Sequence, residues 1–209
     1  MNRRTISILT GMMGLGAMKT AFVLLFALTV VGQAQTQNAP APLHQPRGTA
    51  VDVSNAEILA AVARATSQPF SNQTLRVLNV NGEYNLGVAV LYRAKTDTAA
   101  SEAPLEHSQI TEVYYMISGN GTFVTGGTLE NEREVTGPAV GPSSIGGKLV
   151  GGRSRTIGPG DVVIIPPNTP HWFSEIATDQ IVYLVVRVDP HKVLALTPAP
   201  AGSGQSGGR

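Results

Sequence analysis

Short apolar runs separated by turn-forming residues dominate the sequence between residues 70 and 190. The first two runs, LRVLNV at 75–80 and YNLGVAVLYRA at 84–94, flank an Asn-Gly pair at Asn81 and Gly82, which suits a tight hairpin turn. Further runs follow as EVYYMIS, GTFVTG, DVVIIP, HWFSEI and IVYLVVRV, with Gly, Pro and Asn between them. Many short strands of this kind predict an all-β fold, an antiparallel barrel or sandwich.

One short helix is predicted before the strands. Ser54 and Glu57 have the spacing of a capping box, in which each side chain accepts a hydrogen bond from a free backbone N–H of the other residue. The apolar residues that follow recur at helical spacing: Ile58, Leu59, Val62 and Ala65. We therefore expect an amphipathic N-terminal helix.

The first 34 residues have the composition of an export signal. They contain Arg3, Arg4 and Lys19, no acidic residue, an apolar segment at 21–31 and then the small residues of GQA. The apolar segment is short for a membrane span of about 20 residues, which makes an uncleaved anchor the less favoured alternative. We expect a periplasmic or secreted protein that leaves the membrane once the signal is cleaved.

The route of export stays open. A start at Met18 would give a complete signal by itself, with a lysine and an apolar core, whereas Arg3 and Arg4 in NRRTIS have a weak similarity to a twin-arginine signal. After the signal, residues 35–50 are rich in Pro, Gln and Ala and predict a disordered tether. A single folded domain is expected at 51–194, followed by a disordered tail at 195–209.

Charge and cysteine content exclude some classes of protein. Cleavage after Ala34 removes three of the 15 basic residues and none of the 14 acidic ones, which leaves a net charge of −2. Because the sequence has no basic stripe, nucleic acid is not an expected partner. Cysteine is absent, so an exported form would fold without disulfides.

The first stretch with chemical character is EHSQITEVYYMISGNGTFVTGG, residues 106–127. His107 and Gln109 precede Glu112, and Glu112 opens a strand-like apolar run that ends near Gly119. A carboxylate beside an apolar strand is costly unless another group compensates its charge, and a bound cation would do so.

The second stretch is GPGDVVIIPPNTPHWFSE, residues 158–175. After Gly160 a short apolar run leads to a turn between Pro166 and Pro170, and His171 opens the next run. Prolines restrict the backbone of the turn, so the direction of the imidazole should be set before a ligand arrives.

The two stretches resemble the signature motifs of the cupin superfamily. The first motif is Gly, five residues, His-x-His, three or four residues, Glu, six residues, Gly; His107, Glu112 and Gly119 match it. In this alignment Ser101 replaces the opening Gly, Gln109 replaces the second His, and only two residues separate Gln109 from Glu112.

The second motif is Gly, five residues, Pro-x-Gly, two residues, His, three residues, Asn. Gly160, Pro166 and His171 match it with intact spacing, while Asn168 replaces the internal Gly and Glu175 the final Asn. The resemblance implies a cupin-type antiparallel β-barrel, also called a double-stranded β-helix or jelly roll.

The resemblance also implies one divalent transition metal, Fe, Mn, Zn or Ni, held by His107, Glu112 and His171. Imidazole and carboxylate are suitable ligands for such metals. Gln109 is either a weak fourth ligand or a group that hydrogen-bonds a metal-bound water.

Three further residues and one loop are assigned to the surroundings of this site. Strand alternation places Tyr114 and Met116 on the same face as Glu112, and these two with Trp172 are expected to line a pocket or pack in the core. The Gly/Ser-rich segment 137–152 is expected to be a flexible excursion or a mobile loop over the barrel mouth.

Two His and one carboxylate are the ligand types of non-haem Fe(II) oxygenases, so oxygenase-type activity on a small organic molecule is the leading hypothesis. The alternatives are a metal-dependent lyase or isomerase, with Glu112 released as a base, and a non-catalytic module that binds a small molecule. No catalytic residue is assigned. The resemblance also implies a homodimer, with an exposed apolar sheet face or the helix as the interface.

Overall fold

The computed structural model of the protein describes residues 50–95 and 103–198. The predicted export signal at 1–34, nearly all of the predicted tether, and residues 199–209 of the predicted tail lie outside these ranges. Across the described ranges, no helix has the length and apolar character needed to cross a membrane.

Within the described residues one helix and thirteen strands form, numbered in chain order. The helix α1 is Asn55–Ala65. A five-stranded sheet has the order β1 (Phe70–Val80), β2 (Tyr84–Ala94), β13 (Gln180–Asp189), β4 (Thr111–Ser118), β11 (Val162–Ile165). A six-stranded sheet has the order β10 (Arg153–Ile157), β5 (Gly121–Thr125), β12 (His171–Ile176), β3 (Leu105–His107), β8 (Ser143–Ile145), β7 (Arg133–Val135). Finally, β6 (Thr128–Glu130) pairs with β9 (Lys148–Val150).

Every strand pair in these sheets is antiparallel, and the main core lies between the two larger sheets. Aromatic rings meet across it: the centroids of Tyr114 and Phe123 are 5.8 Å apart, and those of Phe173 and Tyr183 are 5.6 Å apart. The predicted all-β antiparallel fold with a short N-terminal helix is therefore confirmed.

The helix forms as the sequence predicts. The Glu57 backbone N–H donates to Ser54 Oγ at 3.2 Å, and the Ser54 backbone N–H donates to Glu57 Oε2 at 2.9 Å, which completes the capping box. Its buried face, including Ala61, packs against Val90 of β2. The helix therefore covers the face of the five-stranded sheet that points away from the main core.

The Gly/Ser-rich segment 137–152 is ordered by strand pairing, so the expectation of a flexible loop is wrong. In this segment β8 pairs with both β3 and β7, while β9 pairs with β6. These strands are only three residues long, too short for a hydrophobic alternation to mark them in the sequence. Backbone hydrogen bonds place the segment beside β3, which carries His107.

The folded part of the chain continues past residue 194, where the sequence placed its end. The Thr197 backbone N–H donates to the carbonyl oxygen of Val77 at 3.0 Å, and the Val77 N–H donates to Thr197 Oγ1 at 3.0 Å. The beginning of the predicted tail is thus attached to β1.

Candidate metal centre

His107, the last residue of β3, has its tautomer fixed by Ser143 of β8. The Ser143 hydroxyl donates to the carbonyl oxygen of Gly141 at 3.2 Å, so its oxygen accepts from Nδ1 of His107, 2.7 Å away. The proton then lies on Nδ1, and Nε2 carries a lone pair. Burial lowers the pKa of His107 to about 4, against the opposing effect of the Glu112 carboxylate. The imidazole is therefore neutral at pH 7.

His171, the first residue of β12, has the same tautomer for a different reason. Its Nδ1 lies 2.9 Å from the carbonyl oxygen of Thr169, which can only accept, so Nδ1 donates. Its Nε2 is buried and has no hydrogen-bond partner among the described residues. The turn before β12 includes Asn168 at φ 56°, a left-handed conformation that Asn tolerates better than most residues.

Glu112, near the start of β4, faces both imidazoles from the other sheet. Its Oε2 lies 3.6 Å from Nε2 of His107 and 3.5 Å from Nε2 of His171. The ligand atoms of these three buried residues all lie within 4.8 Å of one another. Two imidazole lone pairs and a carboxylate oxygen are all acceptors, so they cannot hydrogen-bond one another. A bound cation would satisfy all three, and the donor set therefore fits a divalent transition metal.

The charge of Glu112 is also compensated by a residue that sequence reasoning missed. Nε of Arg187, on β13, donates to Glu112 Oε1 at 2.8 Å. Burial alone would raise the pKa of Glu112, but the positive charge of Arg187 opposes this effect most strongly and holds that pKa well below its usual value. A signal for this partner existed, because Arg187 is the charged residue within the apolar run IVYLVVRV.

Tyr114 completes the polar contacts of the carboxylate. Its hydroxyl donates to Glu112 Oε2 at 2.9 Å. Burial, together with the neighbouring Glu112 carboxylate, raises the pKa of Tyr114 well above its usual value, so the phenol stays protonated as a donor. Glu112 is thus held as an ionised acceptor with its Oε2 directed at the two imidazoles.

A cavity of about 340 Å³ adjoins this cluster, and His107, Glu112, Tyr114 and His171 form part of its wall. The polar side chains that also line it are Asn72, Arg93, Arg133, Ser143 and Arg187. The apolar ones are Phe70, Leu91, Ala103, Leu105, Val135, Val140 and Ile145. The metal-ligand cluster thus borders a space of the size used to bind small molecules, typically about 300–1,000 Å³.

A family model described as Cupin matches residues 58–203. The chain belongs to the cupin family. A comparison with curated protein sequences finds no match.

Solved structures that resemble this cupin do so at low identity. They include a suggested sugar phosphate isomerase from Acidithiobacillus ferrooxidans (22% identity, 49% of each chain, TM-score 0.31). The DMSP lyase structure of RdDddP and RnDddQII matches at 22% identity over 49% of this chain and 37% of that one, TM-score 0.31. BH2720 from Bacillus halodurans matches at 12% identity over 76% of this chain and 93% of that one, TM-score 0.44. The chain spans less than half the length of the isomerase and lyase chains.

Of the three residues predicted to line a pocket or pack in the core, one lies on the cavity wall of this cupin and two lie outside it. Tyr114 lines the cavity, as strand alternation suggests. Met116 is fully buried in the main core and is not among the residues of the cavity wall. Trp172 follows His171 on β12, so its side chain points to the opposite face, and it is half-buried outside the wall.

Gln109 is not the residue that shares a strand with His107. The strand β3 ends at His107, and Gln109 is half-buried in the following bend, outside the cavity wall. Leu105 shares the strand instead: it lies two residues before His107, lines the cavity and pairs with His171 of β12. With Leu105 and His107 as the His-x-His pair, four residues precede Glu112, which agrees with the cupin spacing. Strand register therefore favours Leu105 over Gln109 as the structural counterpart of a His in this motif, and a ligand role for Gln109 stays a prediction.

Proposed function

We propose that this cupin binds one divalent transition metal through His107, Glu112 and His171 and acts on a small organic molecule in the adjoining cavity. One observation carries the proposal: two buried imidazoles of fixed tautomer present their Nε2 lone pairs to the same carboxylate oxygen. A buried acceptor without a hydrogen-bond donor is costly, and His171 Nε2 is such an atom. A metal ion would remove that cost.

Oxygenase-type chemistry is the activity that this ligand set supports best. A metal held by His107, Glu112 and His171 would supply Lewis acidity, and its ligand types would be those of non-haem Fe(II) oxygenases. Leu105, at the position of the missing His, offers no ligand atom and lines the cavity. The protein's own residues keep the donors in place: Ser143 orients His107, and Arg187 with Tyr114 orients Glu112.

The lyase or isomerase alternative has less support in these contacts. It would use Glu112 as a released base, but both oxygens of that carboxylate accept hydrogen bonds and Arg187 keeps its pKa low. A carboxylate so stabilised is a weak base. The non-catalytic binding module is the alternative that turnover measurements must distinguish.

Metal analysis and turnover of the purified protein test the proposal in two steps. Metal-free protein is reconstituted separately with Fe(II), Mn(II), Zn(II) and Ni(II), and bound metal is measured by elemental analysis. One equivalent per chain is expected in the wild type and in His191→Ala, a control at an exposed histidine. Oxygen uptake is then recorded with a panel of small organic acids, alcohols and thiols. No bound metal would refute the proposal, and bound metal without turnover would support the binding module.

Export and dimerisation also belong to the proposal. The signal-like residues 1–34 support a periplasmic or secreted location. For a homodimer, the outer face of β4 and the sheet-edge strand β11 carries exposed apolar side chains, Tyr115, Ile117, Val162 and Ile164. Such a patch could form the interface expected from the resemblance, and the molar mass in solution would test it.

A further inference from the structure

We propose that the cavity binds a small organic carboxylate through the guanidinium of Arg187; the inference rests on the proposed function, because it names the ligand class of the same cavity. Arg187 is 3% exposed and lines the cavity. Its Nε donates to Glu112 Oε1 at 2.8 Å, and its Nη1 makes a long contact of 3.5 Å with Asn72 Oδ1. A guanidinium has five N–H groups, so three of them have no partner among the described residues.

The N–H groups of Arg187 that have no partner among the described residues favour an anionic acceptor in the adjoining cavity. Charge-assisted hydrogen bonds are roughly twice as strong as neutral ones, so an anionic acceptor binds these N–H groups more strongly than a neutral group does. The planar guanidinium matches the two oxygens of a carboxylate. The free N–H groups of Arg187 therefore provide a docking point for a carboxylate beside the metal ligands.

The charges of the cavity wall point to the same ligand class. Among the described residues of the wall, Glu112 is the one carboxylate, and Arg187 already offsets its charge. A divalent metal would add positive charge that no residue of this cluster compensates, because the charge of Glu112 is already paired with Arg187. A ligand with one negative group would reduce this excess of positive charge in the cavity.

The remaining wall selects an organic anion with an apolar body. Phe70, Leu91, Leu105, Val140 and Ile145 line the cavity, and its volume of about 340 Å³ is at the lower end of the usual range for ligand sites. An apolar wall gains nothing from inorganic phosphate, whereas a short aliphatic chain or one aromatic ring would bury apolar surface against it. The expected ligand is a monocarboxylate of that size.

Matched probes isolate the charge of the ligand from its shape. Benzoate and benzamide, and butyrate and butyramide, are titrated into metal-loaded and metal-free wild type by calorimetry, with inorganic phosphate as a separate probe. Each acid should bind at least about tenfold more tightly than its amide. Arg187→Lys keeps a positive charge for Glu112 but loses the planar fork, so this preference should fall, while Arg153→Lys, at an exposed position on β10, should keep it.

A second variant covers the case in which Arg187→Lys does not fold. Asn72→Asp places a carboxylate next to Nη1 of Arg187, and this internal competitor should also reduce the preference for acids. Equal binding of acids and amides, no binding of any acid at millimolar concentration, or tighter binding of phosphate would overturn the inference. An undiminished preference in the folded Arg187→Lys or Asn72→Asp protein would overturn the assignment to Arg187.

The metal-dependent function and the carboxylate site can be refuted independently of each other. If the wild type binds no metal but still prefers acids through Arg187, the carboxylate site stands and the metal-dependent function is refuted. If the metal binds and acids show no preference, the metal centre stands and the carboxylate inference is refuted.

Discussion

Glu112 and Arg187 are cross-strand partners on β4 and β13, and Nε of Arg187 donates to Oε1 of Glu112 at 2.8 Å. Both residues are nearly inaccessible, with exposed fractions of 2% and 3%. The pair neutralises the carboxylate inside the protein and leaves Oε2 facing the imidazoles of His107 and His171. The buried charge of Glu112 is therefore paired by a protein group without any metal, so we expect the metal-free chain to fold.

Replacement of Arg187 should lower the free energy of unfolding of the metal-free protein. Arg187→Met leaves Glu112 buried without its counter-charge, and breaking a buried ion pair in this way typically costs about 3–5 kcal/mol. Urea unfolding of metal-free protein should show this loss, and a saturating divalent metal should restore part of it. The double variant Glu112→Gln/Arg187→Met should lose less than the sum of the single variants. A loss below about 1 kcal/mol would mean that the pair behaves like an exposed one.

His171 should be required for metal binding but not for folding. His171→Ala removes one of three ligand atoms, and the neighbouring strands β3 and β5 still pair with β12 through the backbone. We expect loss of stoichiometric metal binding, measured by elemental analysis, with an unchanged far-ultraviolet circular dichroism spectrum. His191→Ala, at an exposed position, is the matched control and should keep its metal. Full occupancy in His171→Ala would remove His171 from the ligand set.

The stability of the metal-free protein should depend on pH through His107. Burial lowers the pKa of this imidazole from about 6.5 to about 4, so between these values the unfolded chain binds a proton that the folded chain does not. The free energy of unfolding should therefore fall as the pH is lowered from 6.5 to 4, by roughly 3 kcal/mol at most. Denaturant titrations should show a shallower dependence for His107→Gln and an unchanged one for His191→Gln. An identical slope in wild type and His107→Gln would contradict the assignment.

Export should remove the N-terminal residues. If residues 1–34 are a cleaved signal, the protein recovered outside the cytoplasm should begin near Gln35. N-terminal peptide sequencing of that fraction measures this directly. An intact N-terminus retained in the membrane fraction would favour the uncleaved anchor.

The sequence predicted the parts of the molecule that depend on local patterns. Apolar runs predicted the long strands, and the capping box predicted the helix start at Ser54. The contact between Glu112 and Arg187 was missed because it joins residues that are 75 positions apart, and only the strand order places them together. The three-residue strands β8 and β9 were missed because backbone pairing, which has no side-chain pattern, forms them in a Gly-rich segment.

The sharpest test compares two positions at which a histidine could be introduced. The sequence alignment places the second His of the motif at Gln109, which lies in the bend after β3. Leu105 lies on β3 two residues before His107 and opposite His171. Side chains two apart on a strand share a face, so Leu105→His should place a third imidazole beside the other two. Metal affinity should rise by about tenfold or more in Leu105→His, because imidazole is a good ligand for Fe, Ni, Cu and Zn. Gln109→His is the matched control and should leave the affinity unchanged.

Titration of the three metal-free proteins with the same metal measures this difference. The added ligand in Leu105→His also fills a coordination position that an oxygenase would need, so any turnover found for the wild type should fall as affinity rises. Gln109→His should have the metal affinity and the turnover of the wild type. Tighter binding in Gln109→His, with no change in Leu105→His, would mean that the bend after His107 turns toward the metal ligands and that the original alignment was right.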